Sequence, residues 1–92
     1  MNEISRGMEA ELLLKNELFR EAFDKTRQSI IDAMANSAFG DEKTHNHLVI
    51  SLQLLNRVER CIKTVVETGK LAQIQYEREE NMLKRGLRKI VG

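Results

Sequence analysis

Proline and tryptophan are missing from this sequence, cysteine occurs once, and Phe19, Phe23, Phe39 and Tyr76 are its aromatic residues. Each shortage excludes something. Without proline, no position is barred from a helix interior by a missing amide proton. With so few aromatics, a core must be assembled from Leu, Ile, Val, Met and Ala, which suits helix-on-helix packing better than a sheet. With Cys61 alone, no intrachain disulfide can form, and a reducing, cytosolic setting is the default expectation. No apolar run approaches the roughly 18 residues needed to span a bilayer. The opening Met1-Asn2-Glu3-Ile4-Ser5-Arg6 lacks the basic-then-apolar order of a signal peptide, so export by the usual route is not expected.

What is present is length for one domain, spanning residues 1–92, with a charged fraction of 32% and an apolar fraction of 41%. That composition describes a folded, helix-rich chain with a charged surface. At this size a single core is marginal, so oligomers or partners are expected to complete it. The net charge of +1 argues against a dedicated nucleic-acid or membrane-surface protein. The two halves differ, however. Residues 1–46 hold six Lys/Arg against nine Asp/Glu, and residues 47–92 hold nine against five. Such asymmetry offers complementarity between copies, or a basic end for an acidic partner.

Periodicity predicts an all-α fold: a long antiparallel helical hairpin with short flanking helices at both ends, and oligomeric. Ser5 is read as the cap of a first helix from Arg6 to Lys15 that buries Met8, Leu12 and Leu13 or Leu14. Asn16 can restart a helix as a cap or lie within a continuous one, and both remain open. From Glu17 to Asn36 a seam recurs at steps of four and three: Phe19, Phe23, Thr26, Ile30, Ala33, Ser37. Gly40 can take a positive φ, and Asp41 or Thr44 can cap the next helix. That helix is predicted over Lys43 to Thr68, with the seam Thr44, Leu48, Ser51, Leu55, Val58, Ile62, Val65. Thr68-Gly69 reads as its stop. Lys70 onward restarts with a thin stripe of Leu71, Ile74, Met82 and Leu83, and residues 84–92 form a basic tail that frays unless a partner orders it.

The second helix carries more apolar surface than one mate covers. Ile50, Leu54 and Cys61 form a second row, and Leu52 and Val66 sit between, so these five are the expected oligomer interface. Arg57, Arg60 and Lys63, and Arg85, Arg88 and Lys89 in the tail, are the residues that could meet phosphates or an acidic partner. Interspersed Glu59 and Glu67 favour an ordinary solvated face. His45 and His47 diverge by about 200° on a helix and cannot converge on one ion there; only in a loop could they chelate, with Asp41 and Glu42 as further ligands, and solvent-exposed helix-start residues are the expected reading. Cys61 reads as a buried small hydrophobe. No nucleophile–base order, phosphate loop or metal pattern can be assembled, so neither an enzyme nor a cofactor is expected.

The string Leu13-Leu14-Lys15-Asn16-Glu17-Leu18-Phe19-Arg20-Glu21-Ala22-Phe23, the Asp41 opening of the second helix, and Val65-Val66-Glu67-Thr68-Gly69-Lys70-Leu71-Ala72 resemble a family of short helical proteins encoded by tailed bacteriophages and prophages. The likeness covers about residues 10–75. The chain departs from the pattern at Asn16-Glu17, where asparagine-proline is common, and at Met34, where an aromatic is common. The resemblance brings no catalytic residues. It implies virion assembly or genome packaging by self-assembly and protein binding, in the virion or host cytoplasm; the net charge of +1 and the lack of a recognition helix limit the expected nucleic-acid binding to weak and non-specific. The alternative it implies is inhibition of a host defence system, by binding a host protein or sequestering a small anionic signal between subunits.

Overall fold

Three capping side chains set the element boundaries. The computed structural model describes the backbone of residues 2–91 and the side chains of residues 2–87. Asn2 Oδ1 accepts the Ser5 amide at 2.7 Å and opens α1 (Glu3–Lys15). Ser5, the expected cap, therefore lies inside the first turn. Asparagine in extended backbone is among the strongest caps, and a start at Asn2 gives α1 one further turn. Asn16 resolves the open alternative in favour of a break. Its N–H donates to the Leu13 carbonyl at 3.1 Å, while its Oδ1 accepts the Phe19 amide at 2.9 Å to open α2 (Glu17–Ala35). Gly40 then takes a φ of +87°, and Asp41 Oδ1 accepts the Thr44 amide at 3.1 Å to open α3 (Glu42–Val91).

All three elements are helices, and no strand occurs among the described residues. At a rise of about 1.5 Å per residue, the 50 residues of α3 account for nearly all of the molecule's 78 Å length. Both α1 and α2 lie against α3, and they touch each other at their junction. The break at Asn16 thus lets two shorter helices follow one long one.

The expected stop at Thr68-Gly69 is not a stop. α3 runs through Gly69 without interruption, so there is no separate C-terminal helix beginning at Lys70, and residues 84–91 continue α3. Gly92 lies outside the described residues. Gly69 has a packing purpose instead. A Cβ built on it would lie 2.7 Å from the Gly7 Cα and 2.9 Å from the Glu3 carbonyl oxygen. Two helix backbones meet there, glycine on glycine. Gly7, Gly69 and Ala10 are the buried residues of the described chain. Glycine in a helix interior costs about 1 kcal/mol relative to alanine, and that cost is offset only because the missing side chain admits the α1 backbone.

This crossing fixes which face of α1 is inward. Ile4, Gly7, Ala10 and Leu14 face α3, whereas Met8 and Leu12, expected inside, are exposed. The seams of the other helices also differ from expectation. On α2 and just past its end the half-buried residues are Phe19, Phe23, Arg27, Ile30, Met34 and, beyond the helix, Ser37, with Thr26 and Ala33 outside. On α3 they include Leu48, Leu52, Leu55, Glu59, Ile62, Val66 and the buried Gly69, with Thr44, Ser51 and Val58 outside.

One ion pair joins the two helices at the seam positions where Thr26 and Val58 were expected. Arg27 Nη2 lies 2.6 Å from Glu59 Oε2, and each side chain is less than one-third exposed. Arg27 also donates to Asn56 Oδ1 at 3.3 and 3.4 Å. A paired arginine and glutamate can occupy seam positions that neither could hold alone. Arg27 is steadied further by Asp24 at 3.5 Å, and Glu59 by Lys63 at 2.9 Å.

Candidate functional site

Two surfaces of α3 are the candidates: the arginine-bearing face near its middle, and the apolar rows left exposed among the described residues. Arg57 and Arg60 stand three residues apart and line an open groove with Gln53, Asn56, Cys61 and Thr64. The Thr64 hydroxyl donates to the Arg60 carbonyl at 3.0 Å, so it is turned to its own helix. Neither arginine has a carboxylate within 4 Å among the described residues.

Lys63 does not join them. Its ammonium pairs with Glu59, which already holds Arg27. Hydrogen bonds from Arg27 first, then Lys63, hold the Glu59 carboxyl below its ordinary pKa. The grouping Arg57, Arg60, Lys63 therefore divides into two unpaired arginines and one lysine neutralised in a network. In the C-terminal part Arg85 is exposed, while the side chains of Arg88 and Lys89 lie outside the described residues. Arg85 stands 28 residues from Arg57, about 42 Å along the helix. The basic residues are strung along a rod, not gathered into a patch.

The groove offers side-chain donors only, because mid-helix amides are engaged in the helix itself. It can hold an anion by charge and by guanidinium hydrogen bonds. Cys61 is exposed rather than buried, which corrects its reading as a core residue. It occupies the α3 face turned away from α1 and α2, beyond the reach of either. His47, the nearer histidine, is 14 residues away, about 21 Å along α3, so it cannot activate the thiol. His45 lines a shallow depression with Asp41 and Glu42, and His47 is not part of it. No set of three metal-binding side chains converges among the described residues.

The five expected interface residues also divide. Ile50 (51% exposed), Leu54 (59%) and Cys61 form an outward row, extended by Val58 (51%). Leu52 and Val66 are half-buried in the inner seam against the chain's own helices. Sequence reasoning missed Arg27 and Glu59. Their signal was a charged residue of opposite sign in each helix, standing four after and three before an apolar seam residue.

No helix among the described residues is long and apolar enough to cross a membrane. No known protein family, curated protein or solved structure matches the chain.

Proposed function

We propose that this chain is a non-enzymatic assembly protein: a helical hairpin, α1 and α2 folded back on α3, that completes its core by self-association and then binds other proteins. One observation carries this reading. A compact chain of this mass exposes about 5,500 Å², whereas this one exposes 7837 Å². The excess of about 2,300 Å² per chain is well above the roughly 800 Å² that each partner contributes to a standard interface. Much of it is apolar, with Leu12, Leu18, Phe39, Leu54, Leu71 and Met82 all more than half exposed. A radius of gyration of 21.8 Å, against about 12 Å for a compact chain of 92 residues, describes the same incompleteness.

Taken with the resemblance to short phage-encoded helical proteins, the reading becomes a structural or genome-packaging accessory component of a tailed phage. Sedimentation equilibrium at micromolar concentration tests its physical part: a defined oligomer is expected, and a stable 10.6 kDa monomer refutes it. A second reading is favoured by the two unpaired arginines of the groove. There the oligomer inhibits a host defence system by holding a small anionic ligand between subunits. Affinity for DNA that falls steeply with salt favours the packaging role, since each neutralised phosphate releases counterions. Loss of compact-anion binding on removing Arg57 and Arg60 favours the inhibitor.

A further inference from the structure

We infer that α1 is a hinged strap with two seats on α3. The first is the glycine crossing that it occupies. The second lies along residues 73–80, and α1 takes it when Asn16 becomes helical and joins α1 and α2 into one straight helix. This concerns a single chain and does not rest on self-association.

Asn16 is the single non-helical residue between α1 and α2, with φ −64° and ψ 122°. Its φ is already that of a helix, so a change of ψ alone closes the gap. Glu17 keeps its amide proton, so nothing bars residue 17 from a helix interior. The joined helix would run from Glu3 to Ala35, about 50 Å. α1 carries two apolar faces for the two arrangements. Ile4, Gly7, Ala10 and Leu14 lie against α3, while Met8 and Leu12 are 58% and 70% exposed. At about 100° per residue, a joined helix extends the α2 seam of Phe19, Phe23, Ile30 and Met34 back through Leu12 and Met8. The face of Ile4, Gly7, Ala10 and Leu14 then points about 160° away from that seam. The bend is what turns the first face onto α3, and straightening exchanges it for the second.

The second seat is continuous with the interface of α2 and α3. The α3 seam at Ile62, Val66 and Gly69 goes on at the same steps of four and three through Gln73, Tyr76, Glu80 and Leu83. Tyr76 is 61% exposed. The pairing of Arg27 with Glu59 fixes the antiparallel level. Residues as far before Arg27 as others lie after Glu59 stand abreast, which sets Leu12 level with Ile74 and Met8 level with Arg78, one on each side of Tyr76. A helix with two apolar faces and a hinge at its end is a bistable element, because each position covers one face and frees the other. In the second seat α1 covers Tyr76 and uncovers Gly69, so the surface that α3 offers to partners depends on which seat is filled.

The test reads the position of α1 within one chain. In a Cys61→Ser background, nitroxide labels are placed at Glu3→Cys and Thr64→Cys, which line one depression beside the crossing. Dipolar distances are measured after dilution with unlabelled chain, so that only pairs within a chain contribute. In the straight form Glu3 stands level with Leu83, about 28 Å along α3 from Thr64. The parent is expected mainly at the short distance of the crossing. Gly7→Ala places a Cβ 2.8 Å from the Gly69 Cα in the first seat but faces solvent in the second, and Asn16→Leu removes the cap and favours a helical residue. Together they are expected to move the main population to the long distance, with helix content retained by circular dichroism. Adding Glu17→Pro is expected to abolish the long distance, because proline is tolerated at the first position of α2 but not inside a joined helix, and it holds residue 16 extended. A Gly7→Ala, Asn16→Leu chain that keeps only the short distance, or that loses helix as α1 frays, overturns the second seat. So does a long distance that Glu17→Pro leaves in place.

Discussion

Replacing Gly69 by alanine sets two physical effects of opposite sign against each other. In an unencumbered helix interior, glycine to alanine stabilises by about 1 kcal/mol through backbone entropy. Here the added Cβ would lie 2.7 Å from the Gly7 Cα and 2.9 Å from the Glu3 carbonyl oxygen. Both obstacles are backbone, so neither can yield by a rotamer change. Relief requires α1 to move away by about an ångström, which loosens the contacts of Ile4, Ala10 and Leu14. Overpacking of this kind costs typically 1–3 kcal/mol. The larger effect wins, and Gly69→Ala is expected to destabilise by about 1 kcal/mol net. Gly7→Ala should behave alike, because its Cβ meets the Gly69 Cα at 2.8 Å. Urea unfolding followed by circular dichroism at fixed protein concentration measures the change. Hydrogen exchange should show the α1 amides losing protection first. A Gly69→Ala protein more stable than its parent would falsify the glycine crossing and revive Gly69 as mere helix punctuation.

Other expectations follow from the seams and caps. Glu59→Gln should cost about 1 kcal/mol at pH 7 through loss of a half-buried, partly solvent-screened ion-pair network. Since the folded pKa of Glu59 is depressed, its contribution is present above the ordinary glutamate value of about 4.3 and is lost as pH falls below it. The urea midpoints of parent and variant should therefore converge towards pH 3; a constant gap counts against the pairing with Arg27. Asn16→Ala removes the acceptor of the Phe19 amide and should cost about 1 kcal/mol, read by thermal unfolding; an unchanged midpoint contradicts the capping role. Leu55 is only half-buried, so Leu55→Ala should cost about 1–2 kcal/mol, below the range for a fully enclosed leucine. A larger loss would show that a second copy covers it.

The sequence by itself determined the helical class, the turn at Gly40 and the cap at Asp41, because these depend on local chemistry: absent proline, heptad spacing, a glycine free to take positive φ, a carboxylate near free amides. It determined that apolar surface would exceed what one chain covers. It left the Asn16 break undecided, since a cap and a mid-helix asparagine look alike until the chain direction is known. The seams were half legible. A hydrophobic count passes over Arg27 and Glu59, because their burial depends on a partner 32 residues away, which only the packed helices supply. Gly69 was misread for the same reason. Alone, glycine marks the end of a helix; opposite Gly7, it marks the point where two helices approach most closely. The outward position of Cys61 and the division of the basic residues into a free arginine pair and a neutralised lysine were likewise decided by which face of α3 the first two helices cover. That choice is made by close packing across the chain and by no single stretch of it.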